Sequence, residues 1–301
     1  MTLPQPAITT RGLSKRYGDF LALDQVDLHV RTGEIFGFLG PNGAGKSTAI
    51  KILLDQVRPS AGSATVLGCD ARRDSAEIRA RVGYLPGDLS LYPRLTGQQT
   101  LEFFAGMRGG VSWSVVTDLA GRFEADLSKR VGTYSTGNRQ KIGLIQAFMH
   151  EPELLILDEP NAGLDPLLQE TFHSLLEEVR AQGRTIFLSS HTLSEVERVA
   201  DRVGIIRQGE LVVTAGVSEL KANAIAVIDI EFAEPVPAAA FERLAPVRAV
   251  LVDGRRVRVS YEGEVDAVLK VAAQHHAVSL RSRESDLEEI FLTYYRHSES
   301  H

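Results

Sequence analysis

The stretch Glu34-Ile35-Phe36-Gly37-Phe38-Leu39-Gly40-Pro41-Asn42-Gly43-Ala44-Gly45-Lys46-Ser47-Thr48-Ala49-Ile50-Lys51-Ile52-Leu53-Leu54 decides the fold. Its middle, Gly40 to Thr48, is a Gly-x-x-x-x-Gly-Lys-Ser phosphate-binding loop. An apolar strand precedes it and a helical run follows, which is the context the motif requires. The glycines let the backbone curl so that successive N–H groups point into one concavity. The helix behind adds its positive end to the same spot. Lys46 is expected to reach the β- and γ-phosphates of a nucleotide, and Ser47 to offer its hydroxyl to Mg²⁺.

Working outward, residues 7–10 and 23–30 read as strands ahead of the loop. The second alternates apolar and polar residues like a half-buried antiparallel strand. Residues 62–68 and 81–86 read as strands after it. Residues 96–128 read as helical, with Leu101, Phe103, Phe104 and Met107 spaced to build one apolar face. Leu154-Leu155-Ile156-Leu157 is a continuous apolar run, as in a central parallel strand buried on both faces. An amphipathic helix over 169–182 and a buried strand over 185–189 follow. Strands alternating with helices predict an α/β core, a mostly parallel sheet with helices on both sides.

The composition changes after about Leu220. The tail reads strand 225–232, helix 238–244, strand 247–252, a tight Asp253-Gly254 turn, strand 256–261, helix 265–274 and strand 278–282, then a last helix from Asp286. That βαββαβ order is the ferredoxin-like split pattern. Asp-Gly between two β-rich runs is a hairpin signal. The expected domains are residues 1–220 and a small α+β accessory domain over 221–301.

With 301 residues, 44% of them hydrophobic, the chain can bury a full core. A formal net charge of -6 leans away from nucleic acid, which favours a basic surface. One cysteine, Cys69, excludes an intrachain disulfide. No run approaches the roughly 18 apolar residues of a membrane span. Met1 to Pro6 lacks a basic stretch leading into an apolar run, so no secretory leader is expected.

A nucleotide site needs cation ligands and a group to activate water. Asp158 ends the apolar strand at the sheet's carboxyl edge, where ligands bind in such folds. It is expected to hold Mg²⁺, and Glu159 to act as general base toward the water attacking the γ-phosphate. The competing view is two carboxylates at a solvated strand end.

The chain resembles the ATPase subunits of ATP-binding-cassette (ABC) transporters over residues 7–220. Several motifs carry this in order: the phosphate loop; Tyr134-Ser135-Thr136-Gly137-Asn138-Arg139-Gln140 in place of the signature; Leu154 to Pro160; Asn161-Ala162-Gly163-Leu164-Asp165-Pro166 as the D-loop; and Ser190-His191 as the switch histidine. The resemblance implies a P-loop NTPase with a RecA-like core sheet, an antiparallel β subdomain, and a helical signature subdomain over about 88–150. It implies ATP and Mg²⁺ as cofactors. Ser135 and Gly137 would cap the γ-phosphate held by a second copy, with Asp165 nearby. His191 would hold the attacking water, and Tyr17 would stack on adenine. A helix cap, an exposed histidine and a surface tyrosine are the plainer readings of those residues.

Departures matter. The signature has Thr136 where glycine is usual and Asn138 where glutamine is usual. After Tyr84-Leu85-Pro86 the family expects glutamine, and here Gly87 and Asp88 follow. Asp88 reads equally as a Mg²⁺ ligand and as a turn residue. The segment from Pro86 to Pro93, and the tail ending in Asp286 to Phe291, resemble antibiotic and multidrug exporters of the daunorubicin-resistance type. The resemblance therefore implies a bacterial exporter ATPase at the cytoplasmic membrane face. It would be paired with a second copy and with separate membrane-spanning permease subunits docked near residues 91–104. No nucleic-acid partner is expected. The alternatives are an importer ATPase, a module that has lost catalysis, or a DNA- or ribosome-associated ATPase. The short span from Thr48 to Ser135, without sustained heptads, speaks against the coiled-coil DNA-repair type.

Overall fold

The computed structural model describes residues 5–222 and 225–283. The expected last helix from Asp286 lies outside them. The chain divides into two compact units, Met1–Thr214 and Ala215–His301.

In the first unit, six strands form one sheet in the order Glu210–Gly216, Arg202–Arg207, Ile35–Leu39, Thr185–Ser190, Leu154–Asp158, Val82–Leu85. The last five are parallel. Ile35–Leu39, Leu154–Asp158 and Thr185–Ser190 are buried along their whole length, as unbroken apolar runs predict. Phe187 stacks on Phe36 with ring centroids 5.9 Å apart and meets Phe38 at 5.4 Å. A second, antiparallel sheet pairs Ile8–Tyr17 with Phe20–Val26 and Ala61–Val66, with short flanks at His29–Val30 and Cys69–Asp70. Helix Lys46–Leu53 joins the two through one apolar cluster that includes Leu23, Phe38, Ile50, Leu53 and Ile156.

Two expectations needed correction. Residues 23–30 do not form one strand. Gln25 takes a positive φ of 46°, and the chain breaks between Val26 and His29. The Thr10 hydroxyl spans the break, donating to Val26 O at 2.7 Å and accepting from Leu28 N at 2.9 Å. Residues 96–128 form two helices, Gly97–Met107 and Trp113–Arg122. Gly109 and Gly110, at φ of 80° and 105°, turn the chain between them. Thr96 and Gln99 start the first helix with a capping box. Its buried face is Gly97, Thr100, Leu101 and Ala105, while Phe103 and Met107 face solvent.

In the second unit, four antiparallel strands run in the order Val247–Asp253, Arg256–Glu262, Ile225–Phe232, Ala277–Arg283. Ile228, Ile230, Phe232, Val257 and Val259 form its core with Phe241 from helix Ala239–Glu242 and Val268 from helix Asp266–Gln274.

Candidate active site

Parallel strands end at one sheet edge, and their register brings distant segments together. Leu39 pairs with Ser190, Asp158 with Ser189, and Leu85 with Leu157. The residues that follow, Gly40, Glu159, His191 and Gly87, therefore share that edge. A cavity of about 810 Å³ opens there, lined among others by Tyr17, Asn42, Lys46, Ser47, Asp88 and Asp158. Pro41, Gly43, Ala44, Gly45, Thr48 and Glu159 complete its phosphate end.

Lys46 is buried at the start of its helix. Its Nζ donates to Gly40 O at 2.6 Å and to Pro41 O at 3.3 Å, and lies 3.5 Å from Glu159 Oε1. The loop's own carbonyls thus hold the ammonium where a phosphate would enter. Gly40 does not line the cavity. A Cβ there would meet Ile206 O at 2.3 Å, so its glycine serves close packing. Ser47 Oγ donates to Asp158 Oδ2 at 2.8 Å, and Ser189 Oγ donates to Asp158 Oδ1. A hydroxyl and a carboxylate, all oxygen, beside room for phosphates, fit the donor set that Mg²⁺ accepts. No group of three acidic, histidine or cysteine side chains forms a cage among the described residues. Mg²⁺ commonly keeps waters and uses substrate oxygens instead.

Glu159 stands in the left-handed region, φ 51°. That conformation costs a non-glycine residue about 1 kcal/mol or more. Its neighbours hold it there: Glu159 N donates to Ser189 O at 3.2 Å, and the buried Gln140 amide donates to Glu159 O at 3.3 Å and Pro160 O at 2.9 Å. The turn aims Glu159 Oε2 at His191, whose Nδ1 lies 2.8 Å away. One carboxylate thus faces both a lysine that lines the cavity and a histidine that does not.

Tyr17 is half exposed and lines the cavity together with Phe20 and Ala22. Lys15 Nζ sits 4.7 Å from the Tyr17 ring centre, a cation–π contact. Asp88 lines the cavity from the loop after Val82–Leu85, and Gly87 lies against Asp158 so closely that a Cβ would come 3.1 Å from Oδ2.

Ser135, Gly137 and Asp165 do not line the cavity. Ser135 caps the helix Thr136–Phe148, accepting from Asn138 N at 3.2 Å. A Cβ on Gly137 would meet Gly163 O at 2.3 Å, so this glycine already lets the start of its helix touch the Gly163 loop of the same chain. Asp165 caps the helix Pro166–Ala181 through Leu167 N and Leu168 N, both at 3.1 Å. Gln140 and Ser189 were not anticipated. A polar residue inside each of two buried segments was the signal available.

Residues 23–162 match the ABC transporter family. The bacitracin transport ATP-binding protein BcrA of Enterococcus faecalis is 39% identical over 224 residues, 73% of this chain and 72% of that one. The chain belongs to the ABC transporter ATP-binding proteins. The linearmycin resistance ATP-binding protein LnrL of Bacillus subtilis is 32% identical across 95% of this chain and 97% of its own. A solved ATP-binding subunit of an ABC transporter superposes with a TM-score of 0.66 at 31% identity, covering 71% of this chain and 92% of its own. A dimeric post-hydrolysis ATP-binding cassette bound to ADP and Pi shares the fold, with a TM-score of 0.64 at 20% identity over 70% of this chain and 98% of its own. This ABC ATPase hydrolyses ATP. No helix among the described residues is long and apolar enough to cross a membrane.

Proposed function

We propose that this ABC ATPase powers a bacterial exporter of drugs or other amphipathic compounds, bound to separate membrane subunits and paired head to tail with a second copy. The observation that carries the pairing is the division of the site. Lys46, Ser47, Asp158 and Glu159 line one cavity, and Ser135 and Gly137 stand apart from it. A two-fold pair in which each copy lends Ser135 and Gly137 to the other completes both sites. The relatives named for bacitracin transport and linearmycin resistance support export of amphipathic compounds.

In this reading Lys46 and the loop N–H groups hold the triphosphate. Ser47 and Asp158 hold Mg²⁺, which when bound neutralises phosphate charge. Glu159 takes the proton of the attacking water, and His191 orients that water and Glu159. Tyr17 stacks on the base. Asp165 sits at the pair's contact through its loop. Asp88 stands where the family's glutamine would be and offers a carboxylate toward the same cation. Residues 1–220 act as the nucleotide-binding domain, with residues of about 88–150 as its helical part. The order of the four C-terminal strands supports a ferredoxin-like accessory domain over 221–301. The permease docks on the groove that includes Leu91 and Phe104, which ties the subunit to the cytoplasmic membrane face.

The test is reconstitution of the purified chain with its membrane subunit in vesicles. ATPase activity stimulated by an amphipathic antibiotic, and ATP-dependent efflux of it, are expected. Hydrolysis indifferent to the membrane subunit would overturn the transport reading.

A further inference from the structure

The strand Thr185–Ser190 is buried throughout and ends in two serines. Successive side chains of a strand point to opposite faces, so the two hydroxyls reach different partners. Ser190 Oγ donates to Glu195 Oε2 at 3.0 Å and accepts from Thr192 N at 2.9 Å, which shapes the turn that carries His191. Ser189 Oγ turns to Asp158, its register partner on the neighbouring parallel strand. Ser189 is fully buried and does not line the nucleotide cavity, so it approaches Asp158 from within the protein. The two oxygens of that carboxylate are thereby divided. Oδ1 accepts from Ser189, and Oδ2 accepts at 2.8 Å from Ser47, which lines the cavity. The Ser189 oxygen in turn accepts from Glu159 N at 3.3 Å, so its one hydrogen is committed to Asp158. The same Glu159 N–H is shared with Ser189 O at 3.2 Å. One residue thus touches the side chain of Asp158 and the backbone of Glu159.

We propose that Ser189 is a positioning residue for the cation site: its hydroxyl locks the Asp158 carboxylate so that Oδ2 is presented to the cavity beside Ser47. The proposal rests on the reading that Ser47 and Asp158 hold Mg²⁺. A carboxylate turns about its last torsion over a broad well. Ser47 alone grips one oxygen and leaves that rotation open, and the Ser189 bond closes it. A hydroxyl donating to a carboxylate in a buried site makes a strong bond of this kind. Partners that orient a ligating carboxylate set its affinity for the metal, which falls about 10- to 100-fold when they are lost. Ser189, walled off from the cavity, acts only through Asp158 and the Glu159 N–H.

The test uses the full chain and a fluorescent, non-hydrolysable ATP analogue. Its affinity is measured with excess Mg²⁺ and again in EDTA, for the parent, Ser189→Ala and Ser189→Thr. The ratio of the two affinities reports the cation site, and the value in EDTA reports the cavity itself. For the parent, Mg²⁺ is expected to tighten binding. In Ser189→Ala that gain falls about tenfold or vanishes, while affinity in EDTA stays within about twofold of the parent. Ser189→Thr keeps the hydroxyl and restores the gain. Ser189→Ala only removes a buried oxygen, so the strand keeps its packing; matched thermal melts check this. A gain that survives Ser189→Ala overturns the proposal. So does an equal loss of affinity with and without Mg²⁺, the mark of a merely structural serine, and so does a Ser189→Thr chain no better than Ser189→Ala. A parent whose affinity ignores Mg²⁺ overturns the reading of Ser47 and Asp158 as cation ligands, and the parent measurement alone tells that failure from the others.

Discussion

Glu159→Gln removes one charge and almost no volume, and its two consequences have opposite signs. The carboxylate lies 3.5 Å from Lys46 Nζ and 2.8 Å from His191 Nδ1, in a side chain that is 24% exposed. Loss of a general base lowers turnover by about 10²- to 10⁴-fold, which is about 3 to 5 kcal/mol of transition-state stabilisation. Binding moves the other way. In the free chain Glu159 competes with an incoming phosphate for Lys46. A partly exposed pair of this kind is worth up to about 1 kcal/mol. Its removal tightens nucleotide binding by up to about fivefold. Single-turnover hydrolysis and equilibrium binding of a fluorescent nucleotide measure the two effects separately. Hydrolysis within tenfold of the parent rate, roughly 1.4 kcal/mol, would refute the general-base role. Weaker binding would refute the competition for Lys46.

Two further outcomes are expected. Gln140→Leu leaves the carbonyls of Glu159 and Pro160 without their amide partner. A loss of about 1 to 3 kcal/mol in urea unfolding is expected, with kcat falling more than nucleotide affinity because the Glu159 turn loosens. His150 is held neutral, its pKa pushed down to about 4 by burial first and by Arg108 second. The unfolded chain takes up that proton below its ordinary value near 6.5 and the folded chain does not, so this stability is present above pH 6.5 and is lost between there and about pH 4. With His150 only part buried, the effect is at most about 2 kcal/mol. Denaturant midpoints measured at pH 7 and pH 5 should differ by less in His150→Leu.

The legible parts were those in which one local pattern needs one geometry. The phosphate loop was readable because its glycines, its lysine and its flanking strand and helix occupy adjacent positions. The apolar run into Asp158 was readable because a strand buried on both faces leaves a single polar residue at its end. Residues 23–30 misled because alternation fits a strand equally well whether or not a turn interrupts it. The Thr10 hydroxyl that spans this break comes from another strand. Phe103 and Met107 misled because helical spacing marks an apolar face without saying what covers it.

Residue order alone determined the phosphate loop, the carboxylate pair and the family. Each is a short motif whose chemistry is carried by neighbours in the chain. Only the tertiary structure decided how these parts meet. The parallel register sets Ser189 against Asp158, and the Gln140 helix holds Glu159 in a left-handed turn that aims it at His191. It also decided that Gly137 is required by Gly163 of its own chain. The physical reason is distance along the chain. A contact between far-separated residues depends on strand order and packing, and no local spacing encodes either.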